Sequence, residues 1–252
     1  MAPHPSDPAA DLPAADVPLD PTGALPVVAP APEGMASHVL DREAEHLHAR
    51  YPEVGDVAMA RALLEDSYAR LARTTRHPEM LPVTAANYAA ARLRARAIAQ
   101  GSVESRHPRV LFVCHGNAGR SQMAAALLEN RSGGTVASRS AGTSPAGSVL
   151  PMALDVMNEI GLPLHHAFPK GVDRDILQAA QLVVLFDGAE EDLLDVPAGV
   201  EVQHWSVPSI RGLALEQVRG VRDALDLQVR GLIAELTALE GEEQGGAADP
   251  AA

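Results

Sequence analysis

Cysteine is the scarcest reactive residue in this sequence, with one in 252 positions. A single thiol cannot form a disulfide within the chain or a metal site of several cysteines, and it is consistent with a reducing compartment. Aromatic residues make up only 3% of the sequence, so the core must be built mainly from aliphatic side chains. No run of about 18 apolar residues occurs, so we expect no membrane-spanning helix.

Basic residues are also few, since 20 lysines and arginines stand against 33 acidic residues, for a net charge of −13. Such a chain binds polyanions poorly, so specificity for an anion must come from a local site. Arg92, Arg94 and Arg96 form a cluster that could suit a DNA-reading helix, but no Asn or Gln pair for reading bases accompanies them. We therefore predict no nucleic-acid binding.

Composition divides the chain into four parts. Residues 1–36 are rich in Pro and Ala and are expected to be disordered; they lack the basic start of a signal peptide, so we expect a cytoplasmic protein. Residues 37–101 are rich in helix formers, residues 108–240 alternate strand and helix patterns, and residues 241–252 are predicted to be a flexible tail. Gly, Ser and Pro at 101–108 predict a linker, and hence an independent helical unit.

The helical segment carries three short amphipathic patterns, with Ser37, Asp56 and Thr84 as predicted N-caps. We expect a small three-helix bundle there. The strand and helix patterns that follow are typical of an α/β three-layer sandwich with a parallel four-stranded sheet. The predicted strands are residues 110–113, 135–140, 182–186 and 200–207, and the predicted helices are 121–131, 152–160, 173–180 and 217–239.

The chemistry is concentrated in one loop between the first strand of the sheet and the next helix. This loop begins at Cys114 and ends at Arg120, and it contains two glycines. A strand, a Gly-containing loop and a helix start make an anion site, because backbone N–H groups converge there and the helix dipole favours negative charge. The Arg120 fork could clamp two oxygens of a tetrahedral oxyanion, with the Cys114 sulfur beneath the central atom.

Cys114, Arg120 and Ser121 are therefore the predicted catalytic residues. A helix N-terminus and a nearby arginine favour the thiolate, and the Ser121 hydroxyl could donate a hydrogen bond to it. The alternative without catalysis is that Cys114 acts only as a small buried apolar residue at a strand end. The predicted oxyanion-binding residues are those of the loop: His115, Gly116, Asn117, Ala118, Gly119 and Arg120.

Two of these loop residues carry further expectations. Asn117 tolerates left-handed backbone geometry and could hydrogen-bond the loop to itself. The His115 side chain could contact the substrate or be an ordinary loop side chain, and we favour the second. Beyond the loop, Lys170 could line the rim of the site, although a single lysine is more often simply solvated.

The segment Val110–Ala124 resembles the phosphate loop of low-molecular-weight protein tyrosine phosphatases and of the arsenate reductases that share their fold. The segments Ser140–Thr143, Phe168–Lys170, Leu182–Leu185 and Trp205–Ser206 follow in that family's order. The resemblance covers about half of the chain, Arg109 to Leu239, and places the turn after Arg139 and Ser140 beside the reactive loop. The Arg-Ser-Gln-Met opening of the helix and the segment from Trp205 to Asp223 are most similar to arsenate–mycothiol transferases.

This resemblance implies an arsenate reductase that forms an arseno–thiol conjugate. The phosphatases place an Asp-Pro general acid after the fourth strand, but Trp205–Arg211 contains no carboxylate. Asp187 or residues 190–192 could substitute for that acid. Thioredoxin-coupled arsenate reductases of this type use additional cysteines, which this chain lacks, so the resemblance implies a thiol from outside such as mycothiol and a glutaredoxin-like redoxin downstream.

Two other functions stay open, and no bound cofactor is expected for any of the three. One is a protein tyrosine phosphatase that forms a cysteinyl-phosphate, and the other is a weakly catalytic oxyanion-binding regulatory module. The ligand in each case is arsenate or phosphate. Carboxylates that hold potassium in some relatives are not evident, so we predict no metal.

Overall fold

The computed structural model describes residues 37–103, 105, 107–189 and 195–245. Three helices precede an alternating α/β domain in this part of the chain. The helices are α1 Ser37–Arg50, α2 Val57–Ala72, α3 Leu81–Ala99, α4 Arg120–Arg131, α5 Pro151–Glu159, α6 Arg174–Ala179 and α7 Leu215–Gly245. None of the described helices is long and apolar enough to cross a membrane.

The sheet has four parallel strands in the order β2-β1-β3-β4. These strands are β1 Arg109–Cys114, β2 Ala137–Gly142, β3 Leu182–Phe186 and β4 Glu201–Trp205. The central strands β1 and β3 are apolar along almost their whole length because both of their faces are covered. The predicted fold class is confirmed, and the carboxyl ends of all four strands lie at one edge of the sheet.

One face of the sheet is packed against α4, α5 and α7. Its centre is an aromatic group in which the Phe112 ring lies 5.5 Å from the Trp205 ring and 6.3 Å from the Phe186 ring, between centroids. The predicted apolar stripe of α7 faces this core, with Val218, Leu225 and Val229 fully buried. α7 is longer than predicted, since it continues to Gly245, so residues 241–245 of the predicted flexible tail are helical.

The other face of the sheet is covered by α6 and by the N-terminal helices. Leu111 and Val183 of the sheet belong to one apolar cluster with Leu63 of α2 and Leu93 of α3. The three helices form as predicted, but their core is continuous with that of the sheet. This shared core argues against the predicted independence of the helical unit. The packing does not test the predicted boundaries of the unit, residues 37–101, so these stay a prediction.

Buried ion pairs connect the two parts across this face. Arg92 of α3 lies 2.7 Å from an Asp66 oxygen and 2.6 Å from an Asp173 oxygen, and all three side chains are at most 7% exposed. Asp173 is also the N-cap of α6, where it accepts hydrogen bonds from two backbone N–H groups. Arg96 makes a second, bidentate pair with Asp175 in the first turn of α6.

Two of the three predicted N-caps can be compared with side-chain contacts. Asp56 is confirmed, since its carboxylate accepts a hydrogen bond from the Met59 N–H at 2.8 Å. Thr84 is wrong as a cap, because α3 begins earlier, at Leu81, and the Thr84 hydroxyl donates back to the Met80 carbonyl. Pro82 favours this early start, since a proline fits the first turn of a helix without losing a hydrogen bond. Residues 1–36 lie outside the described residues.

Candidate functional site

The loop between β1 and α4 is held from outside by its carbonyl groups. The carbonyl oxygens of Cys114, His115, Gly116 and Ala118 accept hydrogen bonds of 2.8–3.2 Å from backbone N–H groups of the segment Thr143–Leu150. Within the described residues, the N–H groups of Gly116, Asn117, Ala118 and Gly119 donate to no protein acceptor. Outward carbonyls and unpaired N–H groups are what a loop needs to surround an anion.

A hydroxyl group lies beside the only thiol. The Cys114 Sγ and Ser121 Oγ atoms are 3.0 Å apart, and both residues are buried. The Asn117 amide donates to the same Ser121 oxygen at 2.9 Å, so the Ser121 proton is left for the sulfur. Ser121 can therefore donate a hydrogen bond to a Cys114 thiolate, as predicted.

Asn117 fixes the shape of the loop. Its φ of +46° lies in the left-handed region, where asparagine is tolerated better than most residues. The side chain is fully buried, and its Oδ1 accepts hydrogen bonds from the Lys170 N–H and from the Gln122 amide, both at 3.0 Å. Asn117 thus connects the loop to α4 and to the strap of chain at residues 168–173. The predicted left-handed backbone is confirmed, whereas the side chain bonds to neighbouring elements and not within the loop as predicted.

Gln122 is a site residue for which the sequence pattern predicted no role. Its buried amide also donates to the Asn117 and Phe168 carbonyls, and its Oε1 accepts from the Ser140 hydroxyl at 3.1 Å. The signal was available, because Gln122 stands in the Arg-Ser-Gln-Met stretch that carries the resemblance. Gln122 connects α4 to β2 and to the strap through hydrogen bonds with residues 18 and 46 positions away in sequence. A local sequence pattern does not reveal such contacts.

Gly142 ends β2 against the loop and leaves no room for a side chain. A Cβ atom there would lie 2.6 Å from the His115 carbonyl oxygen and 2.7 Å from the Asn117 nitrogen. The Gly142 N–H donates to the Lys170 carbonyl at 2.9 Å, which ties β2 to the strap. The turn after Arg139 and Ser140 therefore lies beside the reactive loop, as predicted.

Arg120 is the first residue of α4, and the residue is 7% exposed. It donates to the Val207 carbonyl at 2.7 Å and to the Asp187 carbonyl at 2.9 Å, which anchors it to the ends of β4 and β3. Burial lowers the pKa of Arg120, while the nearby Cys114 and Asp187 act against that shift. A guanidinium has five N–H donors, so three remain for a ligand.

Asp187 is the candidate acid that the structure brings close to the loop. It follows β3, is exposed, and its carboxylate accepts a hydrogen bond from the Ser206 hydroxyl at 2.7 Å. The other acid candidates, residues 190–192, lie outside the described residues. The segment Trp205–Arg211 carries Ser206 and the Val207 carbonyl near the site but no carboxylate.

Lys170 and His115 differ in their exposure. The His115 side chain is exposed, in agreement with an ordinary loop side chain. Lys170 is half-buried rather than simply solvated: its Nζ lies 3.4 Å from the Ser140 hydroxyl and 4.7 Å from the centre of the Phe168 ring. Burial and the charge of Arg139 lower the pKa of Lys170 to about 7.

Comparison with protein families gives two matches that together cover most of the described chain. Residues 109–239 match the family of low molecular weight phosphotyrosine protein phosphatases. Residues 40–97 match a separate family described as the N-terminal domain of protein-tyrosine-phosphatase-like proteins. The helical segment is thus a recurrent part of such proteins.

Individual relatives include several arsenate reductases. Arsenate reductase 1 of Staphylococcus saprophyticus is 31% identical over 121 residues, which is 48% of this chain and 92% of that protein. An arsenate reductase of Staphylococcus aureus matches equally well, with 31% identity over 121 residues and the same shares of both chains.

A solved structure extends the similarity to the helical segment. The thioredoxin-dependent arsenate reductase of Corynebacterium glutamicum superposes with a TM-score of 0.72 at 33% identity, covering 80% of this chain and 98% of that one. The family match spans just over half of the sequence, and its loop has the geometry described above. The chain therefore belongs to the low molecular weight phosphotyrosine protein phosphatase family.

Proposed function

We propose that this protein is an arsenate reductase that works with a thiol from outside the chain. The observation that carries the proposal is the Cys114–Ser121 pair, 3.0 Å apart, at the base of a loop whose N–H groups are free to bind an oxyanion. Cys114 would be the nucleophile, Arg120 the clamp on the oxyanion, and Ser121 the donor that stabilises the thiolate. The relatives named as arsenate reductases support the substrate.

The proposed reaction has two stages, a condensation of a thiol with arsenate and a reduction of arsenic by a second thiol. A thiol, either Cys114 or a small thiol in the same loop, condenses with arsenate, forming an S–As bond and releasing water without changing the oxidation state of arsenic. A second thiolate then attacks the sulfur of that bond. A disulfide forms, the S–As electron pair stays on arsenic, and arsenite leaves as As(III). With one cysteine in the sequence, the second thiol must come from another molecule.

A groove beside the loop is where we place the small thiol. It has a volume of about 500 Å³ and lies between the helical segment and the segments 146–149 and 163–169. Its lining includes Ala146, whose N–H donates to the Gly116 carbonyl of the loop, although no residue of the loop itself lines the groove. Its polar side chains include His77, Asn87 and His166, which suit a hydroxyl-rich thiol such as mycothiol.

The identity of the reductant separates two versions of this proposal. In the first, mycothiol forms the conjugate and a glutaredoxin-like redoxin resolves it in the cytoplasm. In the second, a thioredoxin supplies both thiols after the arsenic step. The similar Corynebacterium glutamicum protein is thioredoxin-dependent, which favours the second version, whereas the groove and the single cysteine favour the first.

A phosphatase is the second candidate, and Asp187 is the observation in its favour. Its carboxylate lies at the same edge of the sheet as the loop and is oriented by Ser206. A general acid there would protonate the leaving alcohol of a cysteinyl-phosphate mechanism, an effect typically worth about 10²–10⁴-fold. Asp187→Asn should then lower phosphotyrosine hydrolysis by that factor and leave arsenate reduction nearly unchanged.

The experiment that tests the proposal compares the two activities in one preparation. Arsenite formation with added thiol and phosphotyrosine-peptide hydrolysis are measured as kcat/KM, with Cys114→Ser as the inactive control for both. We expect arsenite formation to dominate. Efficient peptide hydrolysis without thiol-dependent arsenite formation would promote the phosphatase.

A further inference from the structure

A second cavity lies away from the reactive loop and is lined by three arginines. Arg94 comes from α3, Arg109 from the start of β1, and Arg139 from the middle of β2. Arg109 and Cys114 are the two ends of the same strand, about 16 Å apart at 3.3 Å per residue. This arginine cavity is therefore at the opposite edge of the sheet from the proposed catalytic site, between the helical segment and the sheet.

The three guanidiniums have no acidic partner within ion-pair distance among the described residues. Arg109 donates to the Ala179 carbonyl and Arg139 to the Ser138 carbonyl, while Arg94 makes no side-chain hydrogen bond there. Glu129 acts on Arg139 only at longer range.

Two other arginines of the helical segment behave differently. Arg92 and Arg96 each contact at least one carboxylate at 2.6–2.8 Å. Arg120 does not contact a carboxylate among the described residues, and it lies in the loop that is proposed to bind an oxyanion. Acidic residues outnumber basic ones by 33 to 20, so the missing carboxylate does not reflect a shortage of acid. Three half-buried cations in one cavity are an arrangement that repels itself unless an anion is present.

Both burial and the neighbouring positive charge disfavour the charged forms of these arginines. Burial lowers the pKa of Arg109 and of Arg139, and the charge of Arg94 lowers both further. The remaining walls of the cavity are apolar and include Leu111, Ile176 and Ala180. Low polarity around the charges strengthens their attraction for an anion.

Size limits the class of ligand. The cavity has a volume of about 40 Å³, whereas one water molecule needs roughly 10–15 Å³ on this measure. That is room for about three or four oxygen-sized groups, which matches a compact tetrahedral oxyanion and excludes a nucleotide. Guanidinium forks bind such oxygens in pairs.

We propose that Arg94, Arg109 and Arg139 form a second anion site, which binds one tetrahedral oxyanion of the phosphate or sulfate class. Bound there, the anion joins α3 of the helical segment to β1 and β2 of the sheet. Because it binds only the folded chain, it stabilises the contact between the two parts.

Calorimetric titration of the full chain with inorganic phosphate tests the proposal. We expect two bound phosphates in the wild type, one in the loop and one among the arginines. Arg94→Gln should bind phosphate in the loop as the wild type does. Its affinity for phosphate in the arginine cavity should fall about 10–100-fold, as expected for the loss of charge-assisted hydrogen bonds. Arg73→Gln removes an equal charge from an exposed position outside the cavity and should keep both sites.

A second measurement assigns the remaining site without relying on any enzymatic activity. Phosphate in the loop should protect Cys114 from iodoacetamide, at the same concentration in the wild type and in Arg94→Gln. Sulfate should compete for the arginine cavity and acetate should not. Arg94→Lys, which keeps the charge but loses the fork, should bind with intermediate affinity if Arg94→Gln does not fold. A single phosphate in the wild type, or a second one that survives both substitutions, overturns the proposal.

Discussion

Ser121 contacts both the thiol and the loop through one hydroxyl group, so it is the residue whose removal reports most on the site. Its Oγ lies 3.0 Å from Cys114 Sγ and 2.9 Å from the Asn117 amide. Ser121→Ala removes a hydrogen bond to a charged group, worth about 1.5–3 kcal/mol, so we expect kcat for arsenate reduction to fall about 10–100-fold.

The control for this substitution is another buried serine. Ser138 donates to the Ala125 carbonyl and makes no contact with the loop, so Ser138→Ala should lose stability without losing activity. Steady-state kinetics and thermal unfolding of both variants separate the two effects. A Ser121→Ala enzyme that keeps nearly full kcat would show that the thiolate is stabilised by other groups.

The lowered pKa of Lys170 predicts that the stability of the protein depends on pH. Burial lowers its pKa from 10.5 to about 7 in the folded protein. Between these two values the unfolded chain holds a proton that the folded chain has released, so the free energy of unfolding rises with pH. Lys170→Met removes this group, so its stability relative to the wild type should be highest below pH 7 and should decline as the pH rises toward 10.

Urea denaturation of both proteins at pH 6, 7.5 and 9 measures this difference. Lys170 is only half-buried by surface area, so we expect the trend to be smaller than complete burial would give. A difference between the two proteins that is constant over this range would place the folded pKa near that of a solvated lysine. The sequence contains no other lysine, so NMR of the ¹³C-methylated amine can follow this titration directly.

Helix α3 is the element that joins the two parts of the molecule, and Arg92 is its most buried ion-pair residue. Arg92→Met leaves the carboxylates of Asp66 and Asp173 without their buried partner, which typically costs about 3–5 kcal/mol. Arg131→Met breaks a more exposed pair with Asp226 and should cost about 1 kcal/mol or less. Equal losses in denaturant unfolding would contradict this distinction.

Removal of the whole helical segment should destabilise the sheet domain. A chain shortened to begin at Ser105 exposes the apolar cluster that contains Leu111 and Val183, and leaves Asp173 and Asp175 unpaired. We expect it to retain the loop chemistry but to unfold at a lower temperature and to bind a hydrophobic dye. An unchanged melting temperature would show that the two parts are independent, as the linker composition predicted.

The elements were predictable from sequence to the extent that their signals are local. β3 has the predicted bounds because its five consecutive apolar residues begin after Gln181 and end before Asp187-Gly188. Asp56 caps α2 through an interaction within one helical turn. Thr84 was wrong because a threonine in a first turn looks the same in sequence as a threonine at the cap. Arg92–Asp173 could not be predicted, since it joins residues 81 positions apart and depends on how the helices lie on the sheet.

In the site too, the contacts that are local in sequence were predictable and the long-range contacts were not. Cys114, Asn117, Arg120 and Ser121 lie within eight residues, so spacing alone placed them in one loop. The strap at residues 168–173 and the segment Thr143–Leu150 that hold the loop come from distant parts of the chain. These segments contribute backbone N–H and carbonyl groups to the contacts, so the choice of their own side chains shows little sign of them.

The whole molecule carries a net charge of −13, yet its proposed substrate is an anion. The positive potential needed to bind arsenate must therefore be local to the loop N–H groups, the start of α4 and Arg120. Repulsion from the rest of the surface weakens as salt screens it.

In the proposed mechanism, Cys114 and a thiol from another molecule together reduce arsenate. The direct test is arsenite formation by the full chain with arsenate and one of three additions: no thiol, mycothiol with its glutaredoxin-like partner, or thioredoxin with its reductase. We expect no turnover without thiol, sustained turnover with mycothiol, and no turnover in Cys114→Ser. Sustained turnover with thioredoxin alone and none with mycothiol would contradict the proposed small-thiol step, and arsenite formation by Cys114→Ser would contradict the role of Cys114.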